Sequence, residues 1–204
     1  RYGGGTDDFV RTSTRLSNGD VVVGGGLQLI DGVAANSIAR WNGSVWSALG
    51  QGMDGPVFAI AQLSGGDIIA GGRFFAAGGA PANKLARWNG AAWTEFGGGL
   101  PASGDVYALA VMPNGDVLAA GSFYMGIGQQ GCSVIRWNGS TWSPVGEGVL
   151  PAVYALQPMP NGDIIVGGDF NMWGGGPPRV IARFDGTAWS SVGAGISGGG
   201  FNGL

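Results

Sequence analysis

The sequence predicts an all-β fold: a β-propeller of four-stranded antiparallel blades, with four complete repeats. Three observations carry this. A Gly-Asp pair recurs with its aspartate at Asp20, Asp67, Asp116 and Asp163, spaced by 47, 49 and 47 residues. Arg40-Trp41, Arg87-Trp88, Arg136-Trp137 and Arg183-Phe184 keep those spacings, as do Trp46, Trp93, Trp142 and Trp189. Each unit also holds four short apolar runs divided by turn residues, which in a period of this length is the pattern of a propeller blade. A stacked β-solenoid is the alternative.

The first strand of a unit is expected at 57–63, 106–112 and 153–159. Its small and large apolar residues alternate (Val106, Ala108, Ala110 against Tyr107, Leu109, Val111), which suits burial on both faces. Asn-Gly then supplies a tight turn. The second strand begins at the recurrent Asp and ends in small residues: Gly24-Gly25, Gly71-Gly72, Ala120-Gly121 and Gly167-Gly168. A variable loop leads to the third strand, which ends at Arg-Trp. A second turn (Asn42-Gly43, Asn89-Gly90, Asn138-Gly139, Asp185-Gly186) leads to the fourth, which carries the second Trp.

The expected units are 10–56, 57–105, 106–152 and 153–203. Tyr2-Gly3-Gly4-Gly5 aligns with Phe96-Gly97-Gly98-Gly99, so 1–9 reads as the end of a preceding blade and linker, and Leu204 as the start of a next one. The expectation is part of a larger ring, or a ring completed by another chain. In the first unit Arg11, Ser13 and Arg15 fill the slots of Tyr107, Leu109 and Val111. Unpaired buried arginines are costly, so this face is expected to meet solvent, carboxylates such as Asp7 and Asp8, or another partner.

Composition narrows the function. The chain has 204 residues, 44 of them glycine, 11% charged, and a formal net charge of −3. Lys84 is the only lysine, and no cationic cluster suits nucleic acid. Histidine is absent, which removes the commonest general base and neutral metal ligand. Cys132 stands alone, so an internal disulfide or thiolate cluster is not expected. No apolar run is long enough to span a bilayer as a helix.

Gly-Gly-Asp-Phe170, Ile-Ala-Arg-Phe-Asp-Gly186, Trp-Ser-Ser-Val-Gly193 and Val-Tyr-Ala-Leu156 resemble kelch-like repeats of secreted bacterial propellers, akin to the fungal cortical-marker repeats. The resemblance implies a secreted or cell-surface location in a bacterium. Galactose-oxidase-like copper enzymes also contain kelch-type blades, but this sequence has no histidine to match their copper ligands.

Two groups recur. Asp20, Asp67, Asp116 and Asp163 should face Arg40, Arg87, Arg136 and Arg183 across neighbouring strands. They read as one structural ion pair per blade, or as an ionic ring for a ligand. Trp41/Trp46, Trp88/Trp93, Trp137/Trp142 and the lone Trp189 read as packing within the blade, or as sugar-stacking aromatics. Identical recurrence favours structure, because sites are asymmetric.

The variable loops differ, and difference is where function concentrates. Phe75, Tyr124, Met125, Met172 and Trp173 fall outside the regular slots and are the candidate partner or ligand contacts, with covering of neighbouring blades as the other reading. The leading expectation is a non-enzymatic, exported structural or protein-interaction module, self-assembling or bound to other proteins, with no cofactor. The alternatives are a carbohydrate-binding propeller using loop aromatics such as Trp173 and Tyr124, and a polysaccharide lyase or hydrolase using channel-mouth carboxylates. Glu95 and Glu147, the only glutamates, are the named acids for the latter.

Overall fold

A computed structural model describes residues 8–125, 132–146, 149–172 and 179–193. These residues form twenty strands and no helix. The first sheet comprises β1 (Val10–Arg15), β2 (Val21–Gly25), β5 (Ile38–Trp41) and β6 (Trp46–Ala48), with a small hairpin, β3 (Leu29–Ile30) and β4 (Val33–Ala34), in its variable loop. The second comprises β7 (Val57–Gln62), β8 (Ile68–Gly72), β11 (Leu85–Trp88) and β12 (Trp93–Glu95), with hairpin β9 (Ala76–Ala77) and β10 (Ala80–Pro81). The third is β13 (Val106–Val111), β14 (Val117–Met125), β15 (Cys132–Trp137) and β16 (Trp142–Pro144). The fourth is β17 (Val149–Pro158), β18 (Ile164–Met172), β19 (Arg179–Phe184) and β20 (Trp189–Ser191). Every sheet is an antiparallel meander.

The turns follow from local chemistry. The Asn42 side chain accepts the N–H groups of Ser44 and Val45 at 3.0 and 2.9 Å. Asn89 and Asn138 do the same in the next two sheets, and Asp185 does so in the fourth. An Asn or Asp side chain mimics the backbone in this way and starts the reversal.

The sheets pack face to face in chain order. Their first strands lie side by side, β1 against β7, β7 against β13 and β13 against β17. Leu16, Val22, Ile38 and Leu49 of the first sheet pack on Ile68, Ala70, Ala86 and Trp93 of the second. Ile69, Leu85 and Phe96 then meet Val117, Ala119 and Ile135, and Leu118, Val134 and Val145 meet Ile164, Val166 and Ala182. This is the blade arrangement of a propeller, and among the described residues the arc does not close.

One expectation changes. The first strands are not buried on both faces throughout: Tyr107, Leu109 and Val111 are half-buried, and Tyr154 and Ala155 are exposed. These strands edge the centre of the arc, so one side faces the opening. Arg11, Ser13 and Arg15 are exposed, so the polar face of β1 meets solvent.

Candidate interaction site at the inner rim

Each recurrent Asp sits beside the Arg of its own sheet. The Nε to Oδ2 separations are 2.5 Å for Arg40–Asp20, 2.5 Å for Arg136–Asp116 and 2.6 Å for Arg183–Asp163, and Arg87 pairs likewise with Asp67 at 2.5 Å. Asn18, Asn114 and Asn161 donate to the same carboxylates. Arg183 and Asn161 together hold Asp163 below the ordinary carboxylate pKa. These groups join turn to strand within one sheet.

The tryptophans also serve the blades. Trp41/Trp46, Trp88/Trp93 and Trp137/Trp142 pack as tilted pairs, with ring centroids 5.3 to 5.4 Å apart, and Phe184 takes the first place beside Trp189. The second ring reaches backward: the Trp93, Trp142 and Trp189 indole N–H groups donate to the carbonyls of Leu49, Gly97 and Val145 in the preceding sheet, at 2.7, 3.1 and 2.8 Å. The glycine after the fourth strand of each of the first three sheets makes room for the rings of the next sheet. Gly50 has φ +60°, and a Cβ there would lie 2.9 Å from the Trp88 ring.

The loop candidates separate. Phe75 is 64% exposed. Met125 instead packs against the core between the second and third sheets, because β14 extends far enough to carry it there. Tyr124 and Met172 lie in β14 and β18, with side chains outside the described part. Trp173, Glu147, Asp7, Tyr2-Gly3-Gly4-Gly5 and Leu204 lie outside the described residues. Glu95 accepts the Asn83 N–H at 3.0 Å, and Asp54 accepts those of Phe75 and Ala76 at 2.8 and 2.9 Å, so both carboxylates fasten loops.

A feature that periodicity did not disclose lies on the first strands. All four pair with their neighbours through a bulge at one position, and the bulged residues are Arg11, Phe58, Tyr107 and Tyr154. A bulge turns one side chain out of the alternating pattern and re-aims it. It also brings backbone against backbone: a Cβ on Gly72 would stand 2.1 Å from the Pro56 carbonyl oxygen, so the second residue of the Gly-Gly pair must be glycine. The re-aimed rings form a ladder, Phe58–Tyr107 at 5.6 Å and Tyr107–Tyr154 at 5.3 Å.

A charged cluster adjoins the ladder. Arg73 Nε donates to Asp105 Oδ2 at 2.7 Å, across the boundary between the second and third sheets, and its guanidinium carbon lies 5.9 Å from the Phe58 ring centre. The hydrogen bond and charge of Asp105, with a smaller contribution from Tyr107, raise the pKa of Arg73. The Ser122 hydroxyl donates to the Tyr107 hydroxyl at 3.2 Å. Lys84 Nζ lies 3.8 Å from Asp105 Oδ1 and 3.6 Å from the centre of the Phe75 ring. An arginine fixed by a buried carboxylate and an aromatic ring is pre-organised for recognition.

No protein-family model matches the chain, and no curated protein does. Solved structures resemble it at the level of the fold. The extracellular domain of the putative one-component system BT4673 of B. thetaiotaomicron is 12% identical with a TM-score of 0.57, over 90% of this chain and 22% of that one. A protein of unknown function from Dyadobacter fermentans is 16% identical with a TM-score of 0.52, over 92% of this chain and 70% of that one. PorZ of Porphyromonas gingivalis, a bacterial surface component of a type-IX secretion system, is 16% identical with a TM-score of 0.50, over 89% of this chain and 25% of that one. The chain thus spans about a quarter of the length of BT4673 and PorZ, and what it shares with all three is an all-β repeat fold.

Proposed function

We propose that this chain is a non-enzymatic, exported interaction module of a bacterial surface, a kelch-like section of propeller whose end faces are covered by further blades, either of a larger ring or of a second copy. The observation that carries the reading is the uneven burial of one repeated position. Leu49, Phe96 and Val145 follow the fourth strand of the first three sheets and are 2%, 7% and 5% exposed beneath the next sheet, whereas Val192 at that place in the fourth is 42% exposed. Ile165 and Ile181 are likewise half-buried, where Ile69, Leu118, Leu85 and Val134 are fully buried. At the other end of the arc Val21 is half-buried, where Ile68, Val117 and Ile164 in the same slot of the later sheets are buried. Both end faces thus carry apolar slots that in the interior lie under a neighbouring blade, so each is suited to receive one. The extracellular setting of BT4673 and the surface role of PorZ support the location.

Light scattering on the native protein tests this. Where a second copy supplies the blades, the particle mass is a multiple of the chain mass, and Val192→Asp reduces it to one chain while the far-ultraviolet dichroism stays that of β-sheet. A wild-type particle of single-chain mass at every concentration would reject self-completion.

A further inference from the structure

Three residues at the inner rim break the repeat together. The slot of Lys84 holds Ser37 in the first unit and Ser133 in the third, both buried. That of Arg73 holds Gly26, Ser122 and Asp169 in the other units, and that of Asp105 holds Phe9, Pro56 and Ala152. A buried small-residue slot has therefore received the only lysine of the chain, and a carboxylate and an arginine have arrived beside it. Groups that occur once, and side by side, serve something other than the blade.

The cluster is unfinished as electrostatics. Lys84 is 6% exposed, and its Nζ makes no hydrogen bond among the described residues and keeps its donors within reach of solvent. Its backbone is held at φ 65°, as Ser37 in the same slot is at φ 72°, so this conformation belongs to the repeat and the side chain alone is new. Two cations flank one carboxylate, Asp105. Asp54, the other acid close to Phe75, is engaged by backbone N–H groups. Arg73 commits Nε to Asp105 and leaves a side chain that is 59% exposed. The Phe75 ring lies over the ammonium and is itself 64% exposed.

We propose that Arg73 and Lys84 together bind a carboxylate side chain of a protein partner, with Phe75 as the apolar contact that the partner covers. A carboxylate accepts both from the guanidinium edge and from the ammonium, and supplies the anion the cluster lacks. Arginine, tyrosine and an exposed phenylalanine are also the side chains that carry protein interfaces. A glycan fits less well. Sugars stack on free aromatic faces, and beside the Arg73–Lys84 cluster the rings of Phe58 and Tyr107 are packed on one another with planes tilted by 44°, the exposed Tyr154 lying in the fourth sheet. This inference deepens the reading of the chain as an interaction module. It is independent of whether copies complete the ring, because all three charged residues lie in the second and third sheets or the loops beside them.

Lys84 provides its own probe: lysine-selective carbon-13 labelling of the whole protein gives one Cε resonance. On titration with acetyl-Asp-Leu-Asp-amide the resonance is expected to move saturably, with half-saturation at about 1 mM or below for so small a ligand. The uncharged twin acetyl-Asn-Leu-Asn-amide is expected to leave it in place. Arg73→Gln should weaken the response at least about tenfold, while Arg183→Gln, which alters the repeat ion pair of the fourth sheet, should leave it unchanged. Unaltered near-ultraviolet dichroism of the tryptophan pairs shows that each variant is folded. A resonance that does not respond to the acidic peptide, or that responds to polygalacturonate and not to the peptide, would overturn the assignment.

Discussion

The Trp93 indole N–H donates to the Leu49 carbonyl at 2.7 Å, from one sheet into the one before it. Trp142 and Trp189 repeat the bond, so a single type of contact joins all four sheets. Trp93 is 5% exposed, so its ring and its hydrogen bond are both lost to water on folding. Trp93→Phe keeps most of the ring but removes the shorter of two hydrogen bonds to the Leu49 carbonyl, which still accepts the Gly52 N–H at 3.3 Å, and is expected to cost about 1 kcal/mol. Trp93→Ala should cost about 3 to 5 kcal/mol. Urea denaturation followed by dichroism measures both, and a Phe variant as stable as the wild type would show that the bond contributes nothing.

The bulge requires glycine at its partner. Gly72→Ala places a Cβ 2.1 Å from the Pro56 carbonyl oxygen, which only a backbone shift can relieve. The expected loss is about 1 to 3 kcal/mol or more. Gly65→Ala, where the added carbon meets nothing within 4 Å, is the control and should be close to neutral. Equal melting temperatures for the two variants would contradict the steric account.

The repeat ion pairs are structural supports at a partly exposed boundary. Asp116 accepts from Arg136 and from Asn114, while the Arg136 side chain is 42% exposed. Solvent screening keeps such a pair modest, so Asp116→Ala is expected to cost about 1 kcal/mol. Carboxylate binding at the Arg73–Lys84 rim should not change. A melt identical to that of the wild type would remove Asp116 from the list of supports.

The fourth sheet should weaken in acid. Asp185 is lowered to about 2 by the Ala188 and Thr187 N–H groups and the Thr187 hydroxyl, and Asp163 is lowered by Arg183 and Asn161. A carboxyl whose folded pKa lies below its ordinary value of 3.8 contributes stability that is fully present above that value. The contribution declines as the pH falls from there toward about 2. Asp185→Asn substitutes the residue that Asn42, Asn89 and Asn138 already supply at the other three turns. It should keep the turn and flatten the pH dependence between pH 3.8 and about 2. Denaturation midpoints measured across that interval decide it, and an unchanged slope would refute the role given to Asp185.

The sequence by itself determined the repeat, the four strands of each unit, the turns and the Asp–Arg pairing. Each of these depends on residues close along the chain. Asn42 reaches amides two and three residues on, and Arg136 reaches a carboxylate twenty residues back in an adjoining strand. Such chemistry recurs in every unit, so comparing the units reveals it. Only the tertiary structure decided which apolar residues meet the opening, that Met125 turns into the core, and that a bulge carries Phe58, Tyr107 and Tyr154 into one ladder. It also decided that Arg73, Lys84 and Asp105 converge. They lie up to 32 residues apart on facing sheets, and each occupies a slot that the other units fill differently. Comparing repeats brings out what recurs and suppresses what occurs once. A group that occurs once finds its partners only when rigid sheets are set against each other at a fixed distance.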